Sequence, residues 1–208
     1  MYKQVLSDGQ TIAQKVFQTK NKDDDFLSTI WSTEVNILKR LSGHPHIVNI
    51  LYDNSKWLTF NLEYIDGPTL YHWWKNHSSQ IEKNGALKTI LRCIVSALAC
   101  LMEQNCIHMD IKEDNIMIPD GDITKCKLID FGRSRLLDNT GRLHDQDWGE
   151  NAPCGAFCCQ PPEVLLILKR YYEDRPVTSY SIGLPVDIYC VGVLLYSCFV
   201  GEYPHGVC

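Results

Sequence analysis

The run His108-Met109-Asp110-Ile111-Lys112-Glu113-Asp114-Asn115 sets a carboxylate, a cation, two further acids and an amide within one short stretch. Leu87, Ile90, Leu91, Ile94, Val95, Leu98 and Leu101 precede it at spacings of three and four, which predicts one long helix with an apolar face. After it, the apolar Lys127-Leu128-Ile129 reads as a short strand that runs directly into Asp130-Phe131-Gly132. A polar loop following a helix is the plain reading of 108–115. The strand and acidic turn at 127–132 argue for a built site instead.

Toward the amino terminus the periodicity changes. Short apolar groups flank Ser7-Asp8-Gly9 and continue through Ile12, Ala13, Val16 and Phe17, predicting a β-hairpin. Past the acidic stretch 21–25, Phe26, Leu27, Ile30, Trp31, Val35, Ile37, Leu38 and Leu41 form an amphipathic helix stopped by Ser42-Gly43. Strands are expected over Ile47 to Tyr52 and Trp57 to Tyr64, joined by Asp53-Asn54-Ser55. Ile65-Asp66-Gly67-Pro68 is a compact linker, and beyond it the pattern is mostly helical. This is an α+β chain, sheet-rich over 1–66 and helical over 67–208, without repeats.

The 208 residues carry 20 Lys plus Arg against 25 Asp plus Glu, a net charge of −5 that excludes a strongly basic nucleic-acid binder. With 45% apolar and 22% charged residues, the composition is that of a globular chain rather than a disordered one. Ten cysteines include no C-x-x-C pair, so neither a zinc knuckle nor a redox dithiol is signalled. Met1-Tyr2-Lys3-Gln4-Val5 lacks the basic start and apolar run of a secretory signal, so the expectation is an intracellular, cytoplasmic protein with reduced thiols. The Asn76-His77-Ser78 sequon then carries no glycan. Ile188 to Val200 is too short to span a bilayer and is expected as a buried helix, with no membrane partner.

Four patterns occur in order: Ile12-Ala13-Gln14-Lys15, the run 108–115, Asp130-Phe131-Gly132 and Pro161-Pro162-Glu163. Together they resemble the signature set of the eukaryotic protein kinase superfamily, serine/threonine type. The resemblance implies a bilobal protein kinase-like fold, a β-rich N-lobe over a helical C-lobe, with ATP and Mg2+ in the cleft and a protein Ser or Thr as acceptor. It gives Asp110 the role of base for the acceptor hydroxyl. Lys112 becomes the cation beside the transferring phosphate, and Asn115 and Asp130 the metal ligands. Lys15 would pair with Glu34, nineteen residues on, although a solvated helix carboxylate is the ordinary fate of such a Glu. Phe131 would pack beneath the helix carrying Glu34. Leu62, the backbone of Glu63 and Ile65, and the side chains of Ala13 and Met117 would surround the adenine. Asp187 matches an aspartate that steadies the catalytic loop, and also suits a helix N-cap.

The chain departs from that pattern in several places. It contains no G-x-G-x-x-G, and Gly201-Glu202-Tyr203-Pro204-His205 resembles the segment closing the central C-lobe helix, so both lobes are expected to be incomplete. Met109 replaces the usual arginine before the catalytic aspartate, and Ala156 stands where a threonine commonly bonds the aspartate and lysine. The stretch from Asp130 to Glu163 leaves room for a loop holding Thr140 and Asp145-Gln146-Asp147-Trp148, and Leu165 to Pro185 reads as an insertion. Apolar surface bared on the Ile188 to Val200 helix would invite a protein partner. The alternative to an enzyme is a non-catalytic kinase-like binding module or decoy.

Overall fold

In the computed structural model, which describes residues 1–17, 25–77, 80–143, 157–173 and 182–204 (backbone alone for 80–84 and 171), the front is a four-stranded sheet. Gly9, at φ 86°, closes the turn between β1 (Tyr2–Val5) and β2 (Thr11–Val16). With β3 (Ile50–Asn54) and β4 (Thr59–Glu63) they make an antiparallel sheet in the order β1-β2-β4-β3. Across β2 and β4, Ala13 lies opposite Leu62 and Lys15 opposite Phe60. Lys15 therefore sits on an interior strand, where an ammonium group needs a partner, rather than on a solvated edge.

Helix α1 (Asp25–Leu41) buries Trp31, Val35, Leu38 and Leu41, and the Trp31 indole N–H donates to Thr59 O at 3.2 Å. Glu34 falls three residues after Trp31 and four before Leu38, so the helical period carries it inward with the apolar stripe. Each fully buried Leu or Ile there contributes about 1.5–3 kcal/mol, enough to draw one carboxylate in if it finds a cation.

The strand expected over Ile47 to Tyr52 divides in two. Its first residues leave the sheet, with Val48 N–H donating to Leu128 O at 3.0 Å and Leu128 N–H to His46 O at 2.9 Å, and the sheet strand proper begins at Ile50. This segment ties the sheet side to the strand before Asp130. The linker is fixed similarly: Ile118 N–H donates to Pro68 O at 2.9 Å and Asp120 N–H to Asp66 O at 2.7 Å. Gly67 is required there, because a Cβ would lie 2.0 Å from Ile118 O.

Beyond the linker come α2 (Leu70–Asn76), capped by Thr69, and α3 (Gln80–Glu103). Short pairs β5 (Cys106–Ile107) with β8 (Arg135–Leu136), and β6 (Ile116–Met117) with β7 (Lys127–Leu128), frame the 108–115 loop. The segment Gly85–Glu103 is long and apolar enough to cross a membrane by length and composition, and here Leu87, Ile90, Ile94, Ala97, Leu98 and Leu101 are buried in the core.

Of the stretch Leu165 to Pro185, read as an insertion, residues 174–181 lie outside the described residues. Its first part belongs to α4 (Pro162–Tyr172), which starts on Pro162 and buries Val164, Ile167 and Leu168 at helical spacing. Helix α5 (Pro185–Val200) follows, ending on Gly201 at φ 87° and leaving Ile188, Tyr196, Phe199 and Val200 exposed. Seven described cysteines are free thiols, but Cys158 is disulfide-bonded, contrary to the expectation of reduced thiols throughout. Ala156 and the stretch 145–148 lie outside the described residues.

Candidate active site

Strand β2, helix α1 and the turn after β7 meet at one ammonium group. Lys15 Nζ lies 2.7 Å from Glu34 Oε1 and 2.9 Å from Asp130 Oδ1. Burial works to lower the Lys15 pKa, but the charges of Glu34 and Asp130 outweigh it and hold the group above its ordinary value. Glu34, 2% exposed, is pushed up by burial, which Lys15 only partly offsets. At Asp130 burial also works upward, yet the Lys15 ammonium prevails and keeps the carboxyl below its usual range. Asp130 adopts φ 60°, a left-handed conformation that Asp tolerates better than most residues. Gly132 beside it leaves room for the cation, since a Cβ would come within 3.1 Å of Lys15 Nζ.

The signs give a titration test. Depressed Asp130 stabilises the fold above its unfolded pKa of 3.8, and that contribution is lost as pH falls through its lowered native value. Raised Lys15 stabilises below 10.5, and that contribution is lost as pH rises through its higher native value. In Lys15→Met, carboxyl 13C NMR is expected to show Asp130 titrating at higher pH than in the wild type. An unchanged midpoint would show that Lys15 does not hold Asp130 ionised.

Asp110 is 5% exposed and receives Lys112 Nζ at 3.0 Å on Oδ2 and 3.2 Å on Oδ1. Asn115 Nδ2 donates at 2.8 Å both to Asp110 Oδ2 and to its backbone carbonyl. Because both partners can only accept, the amide orientation is fixed and Asn115 Oδ1 is left as the atom available to a cation. The backbone N–H of Asp110 faces His108 Nδ1 at 3.2 Å, which makes that nitrogen the acceptor and His108 Nε2 the donor to Ile129 O at 3.1 Å. Ile129 N–H donates to Asn115 O at 2.9 Å. The loop and the residue before Asp130 are thus joined twice. Phe131, 1% exposed, packs edge-on against His108, with ring centroids 4.8 Å apart.

Met109 is fully buried at φ 66°, so in place of a surface cation the loop has an apolar core anchor. Its N–H donates to Asp187 Oδ1 at 2.8 Å, and His108 N–H to Asp187 Oδ2 at 2.7 Å. Gln160 Nε2 donates to Met109 O at 3.1 Å. Asp187 lies in the first turn of α5, where burial raises its pKa.

On the sheet side Leu62 and Ile65 are buried, while Ala13 and Met117 are partly buried against the core. Glu63 does more than its sequence position suggests. Its carboxylate lies 2.5 Å from Lys127 Nζ and accepts Asn49 N–H at 2.8 Å, while its own N–H donates to Asn49 O at 3.0 Å. Sequence reading missed Asn49, Lys127, Gln160 and the role of the Glu113 side chain. Only the folded chain brings their partners near, and no spacing rule announces them.

Among the described residues no cluster of three or more His, Cys, Asp or Glu could hold a metal. Mg2+ takes one or two protein oxygens and completes its shell with phosphates and water. Asp130 fits this use, since its side chain is 47% exposed and only Oδ1 contacts Lys15 among the described residues. Asn115 Oδ1 fits as the second oxygen.

Compared with known proteins, the chain matches the family described as "Protein kinase domain" over residues 1–206. It is 30% identical over 198 residues to the "Probable serine/threonine-protein kinase KIN1 homolog" of Enterocytozoon bieneusi, across 94% of this chain and 29% of that protein. With serine/threonine-protein kinase tousled-like 1 of Homo sapiens it shares 33% over 182 residues, or 83% of this chain and 22% of the relative. With the phosphorylase b kinase gamma catalytic chain, liver/testis isoform, of Bos taurus it shares 27% over 173 residues, or 82% and 38%. The chain therefore spans between about a fifth and two fifths of the length of these curated relatives. A match that stops two residues short of the end of the sequence, on a mixed fold with a sheet-rich front, means that this chain belongs to the protein kinase domain family.

Proposed function

We propose that the chain is the catalytic part of an ATP-dependent serine/threonine protein kinase, which transfers the γ-phosphoryl group to a protein hydroxyl. The observation that carries this reading is the Lys15 ammonium held between Glu34 and Asp130, 2.7 and 2.9 Å away. A cation fixed by acids from two distant parts of the chain is what a triphosphate needs to be oriented. Residues 1–66 and 67–208 form the two sides of the cleft. Ala13, Leu62 and Met117 offer apolar faces to the purine, and the backbone of Glu63 and Ile65 its polar edge.

Lys15 binds phosphate oxygens while Glu34 keeps it in place. Asp130 and Asn115 would hold Mg2+, which when bound would neutralise charge on the phosphates. Asp110 accepts the proton of the Ser or Thr hydroxyl as its oxygen bonds to the γ-phosphorus, and the bond from that phosphorus to the bridging oxygen breaks to release ADP. Lys112, already against Asp110, lies beside the phosphoryl group in transit.

Thermal melting with and without Mg-ATP tests the nucleotide site. Nucleotide at a hundredfold excess over Kd should stabilise the chain by about 2.7 kcal/mol, and Asp130→Asn should lose the magnesium-dependent part. The 208 residues contain no G-x-G-x-x-G, and a flat response would favour the second reading, a binding module without turnover.

A further inference from the structure

We infer that Glu113 is a positioning residue for the Asp110 loop, acting through a carboxylate tether to Ser197 and Tyr203. The inference rests on the kinase reading above and concerns what holds its base in place. Glu113 opens the single helical turn 113–115, closed by Asn115 N–H donating to Lys112 O at 3.0 Å. Its neighbour Lys112 and the last residue of the turn, Asn115, both contact the Asp110 carboxylate through their side chains. Glu113 itself contacts other groups. Its carboxylate accepts the Ser197 hydroxyl on Oε1 and the Tyr203 hydroxyl on Oε2, the latter at 2.8 Å.

A carboxylate only 7% exposed is costly unless both oxygens are satisfied. Among the described residues Glu113 has no ion-pair partner within 4.0 Å, so neutral hydroxyls hold the charge. Such an arrangement fixes position by direction rather than by net attraction. Burial and the adjacent Glu113 push the Tyr203 pKa upward, which keeps its hydroxyl protonated as a donor. Ser197 lies in the last turn of α5, and Tyr203 follows the Gly201 cap, so the tether binds the loop to the end of that helix as Asp187 binds it to the start.

The tether lines a cavity of about 410 Å³ with Tyr71, Trp74 and Lys75 on its other walls. Water entering there can satisfy the two hydroxyls when the carboxylate is removed, so truncation loosens the turn without opening the core. A turn free to rock would let Lys112 and Asn115 drift, and misplacement of a reacting group by an ångström costs up to a hundredfold in rate.

The test compares the wild type with Glu113→Ala, Glu113→Gln and Tyr203→Phe. Glu113→Ala is expected to lower kcat by about tenfold or more and, with Lys15, Glu34 and Asp130 untouched, to change KM for ATP by less than kcat. Glu113→Gln keeps an accepting oxygen and a donor for a hydroxyl, and should recover most of the rate; Tyr203→Phe should fall between. Amide exchange at Asn115 should be faster in Glu113→Ala and near wild type in Glu113→Gln. This second readout needs no activity, so an inactive wild type would sink the kinase reading while exchange still decided the tether. Unchanged kcat and exchange in Glu113→Ala, or Gln no better than Ala, would overturn the inference.

Discussion

Asp110→Asn is expected to slow phosphoryl transfer by about a hundred- to ten-thousand-fold while changing KM for ATP little. Asp110 Oδ2 receives both Asn115 Nδ2 at 2.8 Å and Lys112 Nζ at 3.0 Å, whereas among the described residues Oδ1 has Lys112 alone, at 3.2 Å. An asparagine must point its oxygen at the two stronger donors, because an NH2 group there would face another NH2 group and an ammonium. Its nitrogen then occupies the Oδ1 position, the one left for an acceptor hydroxyl, and an amide nitrogen cannot take a proton. The fold should survive, since Asn115 to Asp110 O and the Asp110 N–H to His108 Nδ1 involve backbone atoms of residue 110. The measurement is steady-state phosphate incorporation into a protein acceptor, with melting as the control for folding. A correctly folded variant that retains transfer within about twofold of wild type would remove Asp110 from the role of base.

What the sequence made legible follows from where each signal arises. Periods of two and of 3.6 are local, so the hairpin before Phe17, the helix ending at Ser42-Gly43 and the long 87–101 stripe could be read directly. The motif order brought Lys15, Asp110, Asn115 and Asp130 together, and the nineteen-residue separation from Lys15 added Glu34. The structure joins Lys15 to Glu34 and Asp130, and Asp110 to Asn115, then links the two groups through His108, Ile129 and Asn115. Composition was silent where pairing crosses the chain. Ile47 reads as a strand residue by its apolar neighbours, but the backbone around it pairs with Leu128, eighty-one positions on. The α4 helix went unread in a stretch taken as an insertion, although the buried Val164, Ile167 and Leu168 carry the helical period. Glu113 looked like one more loop acid, and its partners lie 84 and 90 residues away.

Asp187→Ala should be the most destabilising single change at this site, by roughly 2–6 kcal/mol, because each buried N–H left without an acceptor costs about 1–3 kcal/mol and this carboxylate serves two. The donors are His108 N–H at 2.7 Å and Met109 N–H at 2.8 Å, and the aspartate is 1% exposed, so water has no ready access. Met109 adds to the loss. Its φ of 66° is an unfavourable conformation for a side chain other than Gly, tolerated only while neighbours impose it. With its N–H released, Gln160 on the carbonyl would be the remaining backbone restraint, and the loop carrying Asp110 could relax out of the left-handed region. Asp187→Asn should be intermediate, since its oxygen can serve one N–H while its NH2 opposes the other. The pH sense differs from that of Asp130. Burial raises the Asp187 pKa above 3.8, so its titration favours the fold below that value, and this contribution is lost as pH rises through the native pKa. The bonds to His108 and Met109 offset that cost at neutral pH and are what Ala removes. Set against a total of about 5–15 kcal/mol for a domain, the loss is large enough to populate unfolded chains. Urea unfolding of the three proteins measures it, and a loss below about 1 kcal/mol for Asp187→Ala would mean that the loop amides find other acceptors.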